Sequence, residues 1–154
     1  GWEFIVVSDP SGTAAVFDTV AWAGYIAPRG IPPEGKRPTA YIVVLRPAGP
    51  DGVATADAAA AIENILLVAV EQGLGGCWIG SVTRDALAAA LRVPAGFAID
   101  SVVALGYPDE RPVVEPFAGD IKYWKDGEGV LHVPKRSLRD VIHYGSFGVK
   151  TPAR

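Results

Sequence analysis

The densest group of residues suited to chemistry is Gly73-Leu74-Gly75-Gly76-Cys77-Trp78-Ile79-Gly80, followed by Ser81. Its glycines let the backbone come close to a flat ligand or to another chain. It is not a dinucleotide fingerprint: after Gly73 and Gly75 the third glycine would fall at position 78, which is Trp78. A helix stop followed by a buried strand explains the same residues without any ligand. A second candidate is Val133-Pro134-Lys135-Arg136, two cations beside a proline-fixed turn. Such a pair suits a phosphate, with Arg136 able to bind it through two parallel hydrogen bonds. A solvated basic pair near a helix start is the plain alternative.

Other side chains offer less. Cys77 has no neighbour in the sequence that would lower its pKa, so a buried, inert thiol is expected. His132 and His143 have no cysteine or carboxylate at a metal-ligand spacing. Ser81 lies in no nucleophile-elbow pattern. Asp109 and Glu110 follow Tyr107-Pro108 in a turn and read as solvated. With no acid/base pair, triad or metal set in view, a glycine-rich approach loop and a phosphate-suited pair fit an enzyme whose cofactor does the chemistry.

Several elements must position these residues. Trp2–Val7 and Tyr41–Leu45 read as strands, the second apolar on both faces and so covered on both. Residues 13–26 could hold a helix with Val16, Phe17, Val20 and Ala21 on one side, and the Pro- and Gly-rich residues 28–38 form a loop. Asp57–Gln72 is the clearest helix: Ile62, Ile65, Leu66, Ala69 and Val70 recur at helical spacing, and Gly73 stops it in a left-handed conformation. Its small residues Ala58 to Ala61 permit either a dimer contact or tight core packing. Thr83 can cap a further helix with Leu87, Ala90 and Leu91 inward, and Ser101–Leu105 is a third strand. Residues 109–135 read mostly as loop with a turn at Asp126-Gly127, and residues 138–142 as a short helix. Strands alternating with helices predict an α/β sandwich, an α+β fold in one domain.

The 154 residues are 49% hydrophobic and 20% charged, with a formal net charge of −3. A chain of this size can bury roughly 70% of its unfolded surface. The acidic balance argues against a nucleic-acid partner. The longest uninterrupted apolar run falls short of a membrane span, and one cysteine permits no internal disulfide. A cytoplasmic protein without membrane partners is expected. The chain opens with Gly1, contains no methionine and runs at once into a strand. These features predict a fold truncated at its N-terminus.

The ordered set of segments resembles the FMN-dependent nitroreductase family. Its central helix and glycine-rich step are similar to Asp57…Glu63-Asn64-Ile65-Leu66-Leu67…Gly73 through Gly80, and later steps to Leu91-Arg92-Val93-Pro94 and Leu105-Gly106-Tyr107-Pro108. Its C-terminal arm resembles Asp120-Ile121-Lys122-Tyr123-Trp124 and His132-Val133-Pro134-Lys135-Arg136, and the strand after its "QPW" step resembles Trp2–Val7. The match spans residues 1–136, with 137–154 continuing the arm. The resemblance implies a homodimer with FMN between subunits and NAD(P)H as electron donor. It implies a ping-pong reduction of a small nitroaromatic or quinone-type acceptor, with no protein nucleophile. Cofactor contacts would fall on Gly75, Gly76, Cys77, Trp78, Ile79, Gly80 and Ser81, and on Lys135 and Arg136 for the phosphate. The family's Arg/Ser-rich N-terminal phosphate grip is not among these residues, and Glu63 stands where glutamine is commoner. A flavin-free dimerisation or ligand-binding relative is the alternative.

Overall fold

The computed structural model describes residues 1–50 and 52–151. The apolar run Tyr41–Leu45 lies inside a strand, Ala40–Pro47, which we call β2. Both of its neighbours are antiparallel: β1, Glu3–Val7, on one side, and β4, Phe97–Gly106, on the other. The strand β3, Gly75–Ile79, pairs antiparallel with β4, giving the order β1-β2-β4-β3. A bulge between Val44 and Leu45 shifts the register of β2 against β4. The sheet is thus antiparallel throughout, although strands that alternate with helices more often signal parallel pairing.

Side chains of a strand alternate between faces, and both faces of this sheet are covered. On one, Val7, Tyr41, Val43, Ile79, Val102 and Ala104 pack with α1, Pro10–Phe17, and α3, Arg84–Leu91. On the other, Val44 and Val103 pack against Ala58 and Ile62 of α2, Gly52–Glu71. Ile62 and Leu87 are fully buried, and a side chain of that size stabilises by about 2 kcal/mol on burial. These layers explain why β2 reads as apolar on both faces.

Three helix expectations change. The first helix is α1, which begins before and ends well short of the predicted 13–26. Asp9 accepts the Gly12 N–H at 2.8 Å and Pro10 opens the first turn, so the residues that read as a turn are a helix start. After Asp18 the chain extends, and Val20 bridges to Val82 instead of continuing the helix. The α2 helix starts at Gly52, which leaves Asp57 in its second turn and not at its N-terminus. Within α3, Leu87 is buried and Ala88 packs on the core, whereas Ala90 is exposed. Gly73 does stop α2 at φ 74°, and the N–H of Leu74 returns to the Ala69 carbonyl at 2.8 Å. By length and composition α2 is also long and apolar enough to cross a membrane, which uninterrupted run lengths had not signalled. Here it lies on the sheet, with Ala54, Ala58, Ile62 and Ala69 buried.

The chain divides into two compact units, Gly1–Asp109 and Glu110–Arg154. The sheet above belongs to the first. The second contains a small sheet in residues read as loop: β5, Val113–Pro116, runs parallel to β7, Leu131–Lys135, which pairs antiparallel with β6, Trp124–Lys125. These strands are two to five residues long and include Pro116 and Pro134, too short and interrupted to show a period of two. The turn between β6 and β7 is the predicted one: the Asp126 carboxylate accepts the N–H groups of Glu128 at 2.9 Å and Val130 at 2.8 Å. The α4 helix, Leu138–Val141, is closed by a reciprocal Ser137–Asp140 cap.

Candidate functional site

The glycine-rich segment becomes the edge strand β3, with β4 alone beside it among the described residues. Its side chains alternate between the two faces of the sheet. Ile79 is core, and only its backbone remains available. Cys77 is exposed and not buried as expected, because it lies on the outermost strand. The protein that does surround its sulfur pushes the thiol pKa above the ordinary value. The glycines serve different needs. An added Cβ at Gly76 would meet Leu66 Cδ2 at 2.6 Å, so this glycine lets α2 sit down on the strand. At Gly80 an added Cβ would meet nothing within 4 Å, and the backbone there has no left-handed φ. The fold therefore does not require glycine at Gly80.

Trp78 is held by its edge. Its indole N–H donates to the Ser101 hydroxyl at 2.9 Å, and that hydroxyl donates to the Asp100 carboxylate at 2.9 Å. Asp100 in turn lies 3.7 Å from Arg46. Ser101 is buried while Trp78 is 45% exposed, so the polar edge is anchored and part of the ring is open. Just beyond, Arg84 gathers three carbonyls: Ile99 at 2.9 Å, Asp100 at 2.8 Å and Gly80 at 3.1 Å. Its fork thereby ties the Gly80–Ser81 peptide to the adjoining strand β4. On the far side of that peptide, the Ser81 carbonyl accepts the Ala21 N–H at 2.9 Å, and the Thr83 N–H reaches the Thr19 carbonyl at 2.7 Å. A shallow pocket of about 320 Å³ opens here, lined by Asp18, Thr19, Val20, Ala21, Ser81 and neighbours.

Arg84 and residues 18–21 were not found by sequence reasoning. One signal was present: a cation in the first turn of a helix opposes the helix dipole, which marks Arg84 as serving something other than α3.

In the second unit, Lys135 ends β7 exposed and Arg136 follows it, turning its guanidinium to the Asp140 carbonyl at 3.1 Å. His132, which has no carboxylate at a metal-ligand spacing in the sequence, is flanked by two carboxylates in the structure. Its Nδ1 is 2.7 Å from Glu115 and its Nε2 3.3 Å from Asp126, with Trp124 stacked on the ring at 5.1 Å between centroids. Hydrogen bonding to Glu115 first, then to Asp126, holds the His132 pKa above 6.5. His132 and Glu115 stand 17 positions apart in the sequence, so no motif could bring them together. Among the described residues no group of three His, Cys, Asp or Glu is arranged to hold a metal ion.

The model of one family, the nitroreductase family, matches residues 1–107. The chain belongs to the nitroreductase family. A relative from Archaeoglobus fulgidus, provisionally named an NADH dehydrogenase/NAD(P)H nitroreductase, is 44% identical over 64 residues, 38% of this chain and 37% of its own length. Solved structures agree on the fold. The FMN-dependent nitroreductase of Clostridium difficile R20291 superposes with a TM-score of 0.61 at 23% identity, over 95% of this chain and 76% of that one. A nitroreductase family protein from Clostridium novyi NT gives 0.57 at 23% identity, over 70% of this chain and 62% of its own. The chain thus spans 37% of the length of the first relative and 62% of the last. The α+β sandwich read from the sequence is the nitroreductase fold.

Proposed function

We propose that this nitroreductase-family chain acts as an FMN-dependent NAD(P)H oxidoreductase, reducing nitroaromatic or quinone-type acceptors by ping-pong hydride transfer. The observation that carries the reading is the Gly80–Ser81 peptide. It is open where a Cβ would stand, fixed by Arg84, and beside a pocket. A flat ring can approach such a backbone closely and meet a peptide whose orientation is already set, which keeps the cost of ordering at binding low. Gly75, Gly76 and Trp78 would flank the ring. When bound, FMN supplies the two-electron chemistry, accepting hydride and returning it to the acceptor. The protein's share is to orient the ring edge against one N–H group, to hold the phosphate, and to leave one face open for donor and acceptor in turn. No protein nucleophile is needed for this.

Titrating the purified chain with FMN tests the reading. Bound flavin should change absorbance and fluorescence, bleach anaerobically on adding NADH or NADPH, and recover on adding a nitroaromatic. A folded chain that takes up no FMN would refute it and favour the flavin-free alternative.

A homodimer belongs to the same reading. On the outer side of α2, Val53, Leu67, Val68 and Val70 are exposed, and on β1 so are Phe4 and Val6. Apolar surface of this extent favours a partner. Light scattering should give twice the chain mass, and Leu67→Glu should shift the protein toward monomer. A wild-type monomer at micromolar concentration would exclude the dimer.

A further inference from the structure

We propose that Ser101 is a positioning residue, whose hydroxyl sets the indole of Trp78 beside the Gly80–Ser81 peptide so that the two together receive one flat, electron-poor ring. By its chemistry Ser101 does not belong where it lies. It is 2% exposed, the one polar residue buried to that degree among the described residues. Its neighbours in β4 are the buried Ile99, Val102 and Val103, and an alanine there would need no partner. A buried hydroxyl costs free energy unless its hydrogen bonds are made. Here both are made, and both lead toward the surface. The Asp100 carboxylate accepts the serine proton at 2.9 Å, which leaves the serine lone pairs for the Trp78 indole N–H, also at 2.9 Å. Trp78 is 45% exposed, so water could have met that N–H. Nor are indole N–H groups paired as a matter of course in this chain, since that of Trp22 is buried with no partner among the described residues.

The network converges on Asp100. Its second carboxylate oxygen lies 3.7 Å from Arg46, whose guanidinium donates to the carbonyls of Pro47 at 3.2 Å and Gly49 at 2.8 Å. The main-chain carbonyl of Asp100 accepts from Arg84 at 2.8 Å, and Arg84 also holds the Gly80 carbonyl at 3.1 Å. One residue therefore anchors the open peptide through its backbone and the open indole through its side chain. A ring that enters meets two surfaces already fixed relative to each other, which lowers the cost of ordering them. The bonds also have a direction. An indole N–H that donates to a serine backed by a carboxylate is polarised along the chain, and the face of an aromatic ring is already its negative side. Such an indole favours an electron-poor ring over an electron-rich one. Oxidised flavin is the electron-poor form and reduced flavin the electron-rich one. The inference rests on the flavin reading and deepens it: Ser101, acting through Trp78, holds the oxidised cofactor more tightly than the reduced one and so lowers its reduction potential.

The test is a double-mutant cycle on FMN binding and on the potential of the bound flavin, with Ser101→Ala, Trp78→Phe and the pair. Ser101→Ala should weaken binding of oxidised FMN by about three- to tenfold, the equivalent of one hydrogen bond, and raise the potential. The same substitution in the Trp78→Phe background should change neither, because the group it acts through is gone. Trp78→Phe keeps a ring at an exposed position and loses the N–H, so it should raise the potential by itself, and it reads the proposal even if Ser101→Ala folds poorly. In the ¹⁵N-labelled chain without flavin, the Trp78 indole N–H should be protected from exchange with water, and Ser101→Ala should remove that protection. An indole N–H that exchanges freely in the wild type would overturn the proposal. So would wild-type affinity and potential in a folded Ser101→Ala, or equal losses in both backgrounds, which would make Ser101 structural only. A wild-type chain that takes up no FMN sinks the flavin reading and this inference with it, whereas uptake that is indifferent to Ser101→Ala sinks this inference alone.

Discussion

At the scale of single residues, the question at Gly80 is whether glycine serves the fold or a ligand. A Cβ added there would meet no atom within 4 Å, and the backbone has no left-handed φ. Gly80→Val should therefore leave the urea midpoint of unfolding close to wild type, within about 0.5 kcal/mol. It should weaken FMN binding by about tenfold or more, because the branched side chain fills the space a flat ring would occupy. Unchanged FMN affinity in a well-folded variant would remove Gly80 from the site. Tyr41 poses the opposite case. It is fully buried, its hydroxyl has no hydrogen-bond partner among the described residues, and burial pushes its pKa up to about 12. A buried polar atom without a partner costs about 1–3 kcal/mol. Tyr41→Phe should stabilise the chain by about 1 kcal/mol in chemical denaturation, and a destabilised variant would mean that the hydroxyl has a partner. The sequence could rank neither residue. Glycine density marked the whole segment from Gly73 to Gly80, and only the environment of each Cα separates the helix stop at Gly73 and the packing glycine at Gly76 from the open position at Gly80.

At the scale of elements, the contact that fixes the end of β3 is Arg84. A guanidinium bound to three carbonyls is a fork that no other side chain reproduces. Arg84→Lys keeps the charge and can satisfy fewer of the three acceptors. Arg84→Gln loses charge and reach together. Both variants should accelerate amide hydrogen exchange at Ile79–Ser81 with little change in the inner strand β2, and glutamine should do so more than lysine. If FMN sits against this peptide, the same variants should also shift the reduction potential of the bound flavin, a readout that looser packing elsewhere would not move. Exchange rates equal to wild type in Arg84→Gln would mean that the paired strands hold the peptide without it. How legible each element was follows from its length. The α2 helix repeats its apolar pattern over five turns and β2 is apolar throughout, so both stand out. The start of α1 was hidden because Asp9, Pro10, Ser11 and Gly12 are common to turns and to helix N-termini. The strands of the second unit stayed invisible because pairing partners such as Val113 and His132 lie far apart in sequence.

At the scale of the whole molecule, the two units rest on different forces. The first is organised by apolar layers on both faces of a four-stranded sheet. The second has no fully buried hydrophobic residue among those described and depends more on polar contacts, notably His132 with Glu115 and Asp126 and Lys125 with Glu110. A protonated His132 ties β5 to the β6–β7 turn through one carboxylate on each. Its pKa is raised in the fold, so its contribution is fully present below about 6.5, the value of an unfolded histidine, and is lost as pH rises through the raised value. Asp126 works in the other direction. Its pKa is held low, first by the Val130 N–H, so its contribution is present above about 3.8 and is lost as pH falls through the lowered value. The small sheet should therefore be tightest in mildly acidic solution and loosen on the alkaline side, while the apolar layers of the first unit do not change. Limited proteolysis across pH 6 to 9, with fragments identified by mass, reads this directly when normalised to an unstructured control peptide for the protease's own pH dependence. Cleavage within residues 110–151 should rise with pH relative to cleavage in the first unit. His132→Gln keeps the ring's approximate size and hydrogen bonding but cannot hold the charge, so its cleavage should be faster at pH 6 and flat across the range. A wild-type profile that is equally flat would show that the sheet holds without the histidine's charge, leaving Trp124 stacking and backbone pairing as what keeps β5, β6 and β7 together.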